Sequence, residues 1–476
     1  MTPTKLTYLI IIIVSISAGL LFYQLSELMQ FFGDQGWYYL SARDMVLTGN
    51  IPTVGIASSH PWLHQGAYWT YILAAIFSVT NFSPIAPGYF TAGIGVITVL
   101  LMYVIGKRMF SPTVGLLAAF LYATSPLITI HARAPYHTSL IPLVTLFFIY
   151  SLYRWLSGKV ICFPITIFLI AVLYNFQIST TPYLIVFALF VVYGFWGKKN
   201  YFTEILTRKI LGLSFLAWLI PMIPMLIYDF QNGFPQTVKF VIWIGYRVAL
   251  LFGFSSIHGD KVFEPLAPFM PFTIEKIQQL IFLPNSYIAI LLLLSPFLYV
   301  SYRLYVQFKE KKSSLALVTL YICFTLPFMS YLAIKTTSEA YWPMFFPSVI
   351  LLISVAATYA IHVKKLKVVT IVIILLVGIT NAYSLVKNNY LMNVSQFGFP
   401  FQERLTAAQI ITTQADGREY NIQGVGAGSK FESFTMPYEY LTWYLGAKVS
   451  DDKENLQFTV IENNNGIRVV EKIETK

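Results

Sequence analysis

The chain has 476 residues, of which 57% are hydrophobic and only 11% are charged, whereas a typical soluble domain has roughly 25% charged residues. This composition excludes an ordinary soluble protein and indicates one that is largely embedded in a membrane. The net charge of +11 does not indicate nucleic-acid binding, because the basic excess is confined to residues 1–386, which hold 23 Lys and Arg against 10 Asp and Glu, while the remainder holds 9 against 11. Short basic loops of this kind mark the cytoplasmic side of a membrane.

Apolar runs separated by basic loops predict eleven transmembrane helices. Placing every basic cluster in the cytoplasm together with Lys5 decides which apolar runs cross the membrane. The predicted spans are residues 5–24, 86–106, 112–130, 138–153, 160–176, 182–197, 210–228, 283–304, 314–334, 343–361 and 366–386. The N-terminus is then cytoplasmic.

The apolar segment 67–80 is treated differently, because a spanning helix needs roughly 20 residues. Counting it as a span would also move the basic clusters to the outside. We therefore predict an interfacial helix there, within a first outer loop at residues 25–85.

Two further regions are predicted to lie outside the cell. One is the loop 229–282, and the other is the tail 387–476, in which helix-like and strand-like patterns alternate. The predicted fold class is an all-α polytopic membrane protein, with a transmembrane unit at 1–386 and a small extracytoplasmic α/β domain at 387–476.

Polar residues beside a bilayer are costly unless they are solvated, paired or functional, so they are candidates for a site. In the predicted topology they all lie on the outer side. They are Asp34, Arg43, Asp44, His60, His64, the stretch "HARAPYH" at 131–137, Asp229, Lys239, Arg247, Lys335 and Glu339.

Simpler interpretations exist for several of these residues. Asp34 precedes a helix-like run and would serve as its N-cap. Arg133 and Lys335 would serve as interfacial anchors. The histidines of "HPWLH", residues 60–64, suggest a metal, but a proline separates them and no further ligands complete a set, so we expect no cofactor and keep a divalent metal as the weaker alternative.

Together these residues indicate one kind of chemistry, the transfer of a group from a phosphate to a hydroxyl. A carboxylate in an aromatic cleft can act as general base towards a hydroxyl group, and nearby Arg and Lys can hold a phosphate. A phosphate held at the membrane face between helices suggests a lipid phosphate. Aromatic side chains such as Trp37 and Tyr38 suit a sugar ring or a prenyl chain, and they are equally typical of an interfacial belt.

At this point the sequence resembles a known class. One span, an acid followed by aromatic residues and "ARDMVLTGNIP", then "HQGAYWTYILAAIF" and "GKRMFSPTVGLLAAFLYATSPLITIHAR" occur in the order seen in the GT-C glycosyltransferases. Within them the chain is most similar to glycosyltransferase family 39, the protein O-mannosyltransferase and aminoarabinose transferase-like group. The resemblance covers residues 1–160, is weaker in "YDFQNGFPQT" and "AYWPMFFPSVILLISV", and is absent from the tail.

The resemblance implies a donor made of a sugar on a polyprenyl or dolichyl phosphate, used on the outer face of the membrane. It implies that Asp34 is catalytic and that Gln35 replaces the family's second acid. The residues expected to hold the lipid phosphate are Arg133, Lys335, Arg247 and His64. The residues expected to line the substrate are Gln35, Trp37, Tyr38, Asp44, His131 and His137.

The resulting hypothesis is an inverting, metal-independent glycosyltransferase of the cell membrane, with Asp34 as base and a hydroxyl or phosphate of a glycan, lipid or protein as acceptor. Its expected partners are the lipid-linked donor, this acceptor and membrane lipids, without nucleic acid. The alternative is a transporter or flippase of a lipid-linked sugar. A transporter usually has repeated halves with polar groups at the midplane, neither of which the sequence shows.

Overall fold

The structure is a computed structural model that describes most of the chain. The described residues are 3–58, 60–197, 199–251, 266–310, 312, 314–388, 390–392, 398–426, 428–450, 452, 454–463 and 466–473. Part of the predicted outer loop 229–282, residues 252–265, therefore lies outside the described residues.

The described chain is mainly helical. In chain order the α-helices are α1 (Pro3–Phe22), α2 (Leu25–Leu28), α3 (Gly33–Thr48), α4 (Tyr68–Thr80), α5 (Ala86–Met109), α6 (Pro112–Thr124), α7 (Pro126–Arg133), α8 (Ile141–Leu156), α9 (Cys162–Phe176), α10 (Pro182–Trp196), α11 (Asn200–Thr203), α12 (Arg208–Asn232), α13 (Phe240–Leu251), α14 (Leu266–Ile281), α15 (Ser286–Lys309), α16 (Leu315–Ile334), α17 (Phe346–His362), α18 (Lys367–Val386), α19 (Phe401–Ala415) and α20 (Met436–Tyr444). The strands are β1 (Asn421–Gly426), β2 (Leu456–Asn463) and β3 (Gly466–Ile473). Short 3-10 turns lie at His137–Leu140, Ile178–Thr180, Glu204–Leu206, Glu339–Tyr341, Pro343–Phe345, Tyr390–Met392 and Glu432–Phe434, and a π-helical turn lies at Pro235–Lys239.

The polytopic membrane fold predicted from the sequence is confirmed, and all eleven predicted spans are helical. In the described part, nine helices are long and apolar enough to cross a membrane. The other two predicted spans differ. Helices α6 and α7 form a pair bent by 66°, and α9 has 15 residues, fewer than the roughly 20 that a straight span requires.

The bend between α6 and α7 has a local cause. Ser125 is extended, with φ −73° and ψ 124°, and Pro126 follows it. Proline disfavours helical backbone in the residue before it and cannot donate a backbone hydrogen bond. The break redirects α7, which leads into the segment 131–137.

Several connections meet at one end of the helix bundle, which we call the site end. The guanidinium of Arg133, at the end of α7, reaches the last carbonyls of α1. His131 lies beside Glu339, just before α17. The N–H of Phe401 donates to the carbonyl of Met29 at 2.8 Å, which attaches the chain after α18 to the chain after α1.

The first connecting region folds over the site end. Helix α4 packs on α3, and the rings of Tyr39 and Phe77 meet edge to face at 5.1 Å. Between these helices lies a hairpin, residues 55–65, in which the N–H of Gln65 donates to the carbonyl of Ile56 at 2.9 Å. Helix α4 corresponds to the helix predicted at 67–80. Its 13 residues are too few for a straight span.

The C-terminal segment contains the predicted small α/β unit. Its sheet has the order β1-β2-β3, with β1 parallel to β2 and β2 antiparallel to β3. Helix α20 lies in the crossover between the parallel strands, and Ile411 of α19 packs in a core with Tyr420 and Phe458. A buried ion pair, Arg404 Nη2 to Glu462 Oε2 at 3.0 Å, joins α19 to the end of β2.

Candidate active site

Asp34 lies in the first turn of α3, at the site end. Its two carboxylate oxygens have different partners: the Tyr136 hydroxyl donates to Oδ2 at 2.9 Å, and the Ser433 hydroxyl donates to Oδ1 at 3.2 Å. Among the described residues Asp34 has no ion pair. The site thus holds a half-buried carboxylate between two neutral hydroxyl donors.

The start of α3 shows why Asp34 is not an N-cap. The N-cap residue is Phe32, which is extended, and its N–H donates to the side-chain Oε1 of Gln35 at 2.6 Å. Gln35, in the third helical position, therefore performs the capping. Asp34 sits next to the helix N-terminus, where the partial positive charge of the helix dipole stabilises a carboxylate, and its oxygens remain directed at Tyr136 and Ser433.

Gln35 is fully buried. Its Oε1 is used by the Phe32 N–H, and its Nε2 has no hydrogen-bond partner among the described residues. Gln35 thus stabilises the start of α3. Its expected contact with substrate stays a prediction.

Tyr136, Tyr38 and His137 form an aromatic cluster beside the carboxylate. The rings of Tyr136 and His137 are 4.0 Å apart, and Tyr38 lies 5.4 Å from His137. Burial, followed by the charge of Asp34, raises the pKa of Tyr136 and of Tyr38 well above the usual value. Tyr136 therefore stays protonated and remains a hydrogen-bond donor to Asp34.

His137 is also buried, with 2% of its surface exposed. Its Nε2 lies 2.8 Å from Oε1 of Gln177, and its Nδ1 has no partner among the described residues. The structure therefore brings the predicted residues Tyr38 and His137 together with Asp34.

The C-terminal segment crosses α3 directly at Asp34, through two glycines. A Cβ atom added to Gly33 would lie 2.7 Å from Oγ of Ser433, and one added to Gly36 would lie 2.3 Å from the backbone nitrogen of Pro437. Such distances are far below ordinary van der Waals contact. Only glycine at these two positions allows the chain at 433–437 to approach the helix so closely.

An open cleft of about 290 Å³ lies along the same helix. Of the predicted substrate-lining residues, Trp37 and Asp44 lie in its wall. The lining residues are Trp37, Leu40, Ser41, Asp44, Asn50, Pro52 and Met436. Asp44 is ion-paired with Arg43, whose Nη2 lies 2.6 Å from Oδ1, and Arg43 in turn lies over the ring of Trp443 at 5.0 Å.

The Arg133 side chain is buried and is held by backbone carbonyls at the end of α1. It is 2% exposed, and its Nη1 donates to the carbonyls of Leu20, Leu21 and Tyr23 at 3.1, 3.0 and 2.8 Å. These carbonyls end α1, where a cation is favoured by unpaired acceptors and by the helix dipole. These three bonds use Nη1 alone, and Nη2 is buried without a hydrogen-bond partner among the described residues. The phosphate-binding role expected for Arg133 stays a prediction.

A buried cation that the sequence reasoning missed lies nearby. Lys276 of α14 is 4% exposed. Its Nζ donates to Oε2 of Glu339 and, at 3.0 Å, to Oε1 of Gln279. The other oxygen of Glu339 lies 2.9 Å from Nε2 of His131. A lysine inside the polar stretch "EKIQQ" of an otherwise apolar helix was the available signal.

The other residues expected to hold phosphate are placed as follows. Lys335 is the half-buried C-cap of α16, with φ 56°, four residues before Glu339. The side chain of Arg247 lies outside the described residues. His64 lies in the hairpin 55–65, where its N–H donates to Oε1 of Gln236 at 3.2 Å and its Nδ1 lies 3.2 Å from the carbonyl of Gly55.

The segment 131–137 connects the two polar clusters. His131, at its start, contacts Glu339, and Tyr136, near its end, contacts Asp34. His131 and Tyr136 are five residues apart in sequence, so their Cα atoms lie at most about 18 Å apart. In the described part of the chain, no group of three or more His, Cys, Asp and Glu could hold a metal ion.

No family model matches the sequence, and no curated protein matches it. Solved structures do match. The structure of ArnT from Cupriavidus metallidurans bound to undecaprenyl phosphate is 12% identical, with a TM-score of 0.57, and the match covers 98% of this chain and 94% of ArnT. The structure of the archaeal oligosaccharyltransferase AglB from Archaeoglobus fulgidus, in complex with an inhibitory peptide and a dolichol-phosphate, is 11% identical, with a TM-score of 0.52.

The AglB match covers 92% of this chain and 63% of AglB, so this chain spans less than two thirds of that protein. At such identities the similarity shows the fold alone. The chain has the same fold as ArnT and AglB, which agrees with the fold class predicted from the sequence. The narrower resemblance to family 39 stays a prediction.

Proposed function

We propose that this protein is a membrane glycosyltransferase that moves a sugar from a polyprenyl-phosphate donor to an acceptor, with Asp34 as general base and with inversion at the sugar carbon. The observation that carries the proposal is the Asp34 carboxylate. It is free of ion pairs among the described residues, is aimed by Tyr136 and Ser433, and stands at the site end of a GT-C fold. The solved neighbours support the donor class, since ArnT was solved with undecaprenyl phosphate and AglB with a dolichol-phosphate.

The reaction needs a base for the acceptor and a cation for the leaving phosphate, and the Asp34 cluster and the Lys276–Glu339–His131 cluster offer one each. As the sugar–phosphate bond breaks, negative charge develops on the leaving phosphate and is best stabilised by a cation fixed in advance in a dry site. Lys276 is the buried cation whose contacts fit this role best, His131 lies against the same Glu339 carboxylate, and Lys335 lies four residues before Glu339 in sequence. Glu339 holds Lys276 in place until the phosphate competes for it.

Inversion follows from a single displacement. Asp34 takes the proton of the attacking group on one face of the sugar, and the phosphate departs from the opposite face.

We further propose that the site end faces the extracytoplasmic side and that the N-terminus is cytoplasmic. Basic residues lie at the opposite ends of the spans, with Lys107 and Arg108 at the end of α5, Lys309 at the end of α15 and Lys367 at the start of α18. Clusters of this kind favour the cytoplasm.

The test is the Asp34→Asn variant in lipid nanodiscs. It is supplied with polyprenyl phosphates that carry different hexoses and pentoses, and released polyprenyl phosphate is measured by mass spectrometry. Asparagine keeps the shape but cannot accept the proton, and general-base catalysis contributes about 10² to 10⁴-fold. We expect turnover to fall by about that factor.

The matched control is Asp416→Asn. Asp416 is exposed and ends α19 in a left-handed conformation that asparagine also adopts. We therefore expect this substitution to leave turnover unchanged. Wild-type turnover in a folded Asp34→Asn variant would contradict the mechanism. The transporter would be favoured instead if the intact donor crossed the membrane of sealed vesicles without bond cleavage and without ATP or a gradient.

A further inference from the structure

On the basis of the proposed function, we propose that the cleft beside α3 is the acceptor site, that it takes an uncharged sugar residue, and that the Ser433 hydroxyl occupies the position of the reacting hydroxyl in this structure. We call the cleft lined by Trp37, Leu40, Ser41, Asp44, Asn50, Pro52 and Met436 the acceptor cleft. Asp34 is the base that the acceptor must reach.

Ser433 makes the contact that an acceptor alcohol needs. Its hydroxyl donates to Oδ1 of Asp34 at 3.2 Å, while Tyr136 occupies Oδ2. A general base must lie within hydrogen-bond reach of the proton that it removes. Tyr136 is half-buried and holds Oδ2, so we assign to the acceptor the oxygen that Ser433 now occupies.

Two walls of the acceptor cleft lie close in sequence to this position. Along α3, Trp37, Ser41 and Asp44 follow Asp34 by three, seven and ten residues, a spacing that places them on the same side of a helix. The nearest, Trp37, is about one turn away, or roughly 5 Å along the axis. Across the cleft, Met436 follows Ser433 by three residues, so each wall of the cleft holds a residue three positions from a group of the Asp34 site.

The lining of the acceptor cleft has the chemistry of a carbohydrate site. Trp37 offers an aromatic surface, and Ser41, Asn50 and Asp44 offer a hydroxyl, an amide and a carboxylate to sugar hydroxyls. Its volume of about 290 Å³ is near the lower end of the range for small-ligand pockets, roughly 300 Å³, and suits one sugar ring.

Charge and access narrow the choice of acceptor. Asp34 lacks an ion pair among the described residues and would repel a phosphate or carboxylate acceptor brought within hydrogen-bond distance. Asp44 and Asn50 are exposed, so the acceptor cleft opens to solvent and an acceptor can enter without crossing the membrane helices. These two features favour a neutral glycan hydroxyl.

The chemical step balances with these groups. The acceptor oxygen forms a bond to the anomeric carbon, the bond from that carbon to the phosphate oxygen breaks, and the proton of the acceptor hydroxyl passes to Oδ1 of Asp34. Polyprenyl phosphate leaves with the bonding electron pair. Before this step the Ser433 hydroxyl must give up its contact with Oδ1.

Photo-crosslinking tests the site without a donor. Diazirine-bearing glucosides, galactosides and mannosides are added to the full-length protein in nanodiscs, and labelled peptides are identified by mass spectrometry. We expect at least one glycoside to label the stretch 37–52 or Met436, and an excess of the unlabelled glycoside to suppress this. Trp37→Ala should reduce labelling at least fivefold, and Ser433→Ala should increase it about two- to fivefold because the position beside Asp34 is vacated.

The control is Trp196→Ala, which removes a highly exposed tryptophan at the end of α10 and should leave labelling unchanged. Labelling by no glycoside, equal labelling in Trp37→Ala, or labelling of these peptides by a diazirine-bearing serine peptide but by no sugar would overturn the proposal. Because no donor is present, this failure is distinct from failure of the proposed function, which turnover by Asp34→Asn decides.

Discussion

At the scale of single residues, the behaviour of Asp34 depends on the groups that aim it. A carboxylate paired with a cation would be a weaker base, whereas one held by neutral hydroxyls is oriented without losing its charge. Tyr136 is suited to this role, because burial and the nearby charge raise its pKa and keep the phenol protonated. The two hydrogen bonds thus fix the direction of the carboxylate.

Tyr136→Phe tests this orientation. The variant keeps the ring packed against His137 and removes only the hydrogen bond to Asp34, and hydrogen bonds to charged groups contribute about 1.5–3 kcal/mol. We expect kcat for polyprenyl-phosphate release to fall roughly 10- to 100-fold, with a smaller change in KM for the donor.

The control for this prediction is Tyr287→Phe, in which the altered hydroxyl belongs to a side chain that is 82% exposed. Unchanged kcat in Tyr136→Phe would show that Asp34 does not depend on the phenol.

The sequence marks Asp34 as a candidate, but it does not predict most of the hydrogen-bond partners of Asp34. An acid among aromatic residues after a first span is visible locally. Ser433 lies 399 residues away in sequence, and only the docking of the C-terminal segment brings it to Asp34. Arg133 was expected at a phosphate because arginine binds phosphate well and because the resemblance places it near the donor. The folded chain adds that its Nη1 donates to the last carbonyls of α1, and the phosphate role stays a prediction.

At the scale of secondary-structure elements, the critical contact is between α3 and the chain at 433–437. Hydrophobic periodicity predicted that helices exist at these places, because it reports which faces are apolar. It could not predict that two glycines of α3 let these elements touch, because close approach depends also on the shape of the segment 433–437. The same limit applies to α6 and α7, where the apolar run was predicted as one span and Pro126 breaks it.

Gly36→Ala tests the close contact. A Cβ at this position meets the backbone of Pro437 at 2.3 Å, and backbone cannot rotate away as a flexible side chain would. We expect the C-terminal segment to be displaced from α3, cleavage by added protease near residues 428–435 to accelerate at least fivefold, and turnover to fall.

Gly93→Ala provides the matched control, because that helical glycine has no atom within 4 Å of an added Cβ. If both variants resist protease like the wild type, the close contact does not hold the segment in place.

At the scale of the whole molecule, the C-terminal unit is joined to the membrane helices as part of the site. Arg404 donates from Nη1 to the carbonyl of Phe31, just before α3, and its Nη2 pairs with Glu462. The Tyr438 hydroxyl donates to the other oxygen of Glu462 at 2.6 Å. The sequence predicted the helices and strands of this unit, but not this connection, which depends on charges that meet only after folding.

Arg404→Met tests the connection. Removing one partner of a buried ion pair leaves an unpaired charge and costs about 3–5 kcal/mol. We expect the C-terminal unit to unfold or detach at a lower temperature, which hydrogen exchange of β2 and α19 would report.

Arg418→Met is the comparison, since the Arg418 side chain is 52% exposed and lies 3.7 Å from Glu471. Such an exposed pair contributes about 0–1 kcal/mol. Similar exchange in the two variants would mean that the buried pair does not hold the unit.

Binding of a polyprenyl phosphate at the site end is tested by mass spectrometry of the lipids that co-purify with the protein. We expect a polyprenyl phosphate, or its sugar conjugate, with the wild type. At least a fivefold loss is expected in Lys276→Met, which removes the buried cation, and little loss in Lys107→Met, which removes an exposed lysine at the opposite end of α5. Absence of any polyprenyl phosphate from the wild type across several detergents would show that the protein does not bind this donor class.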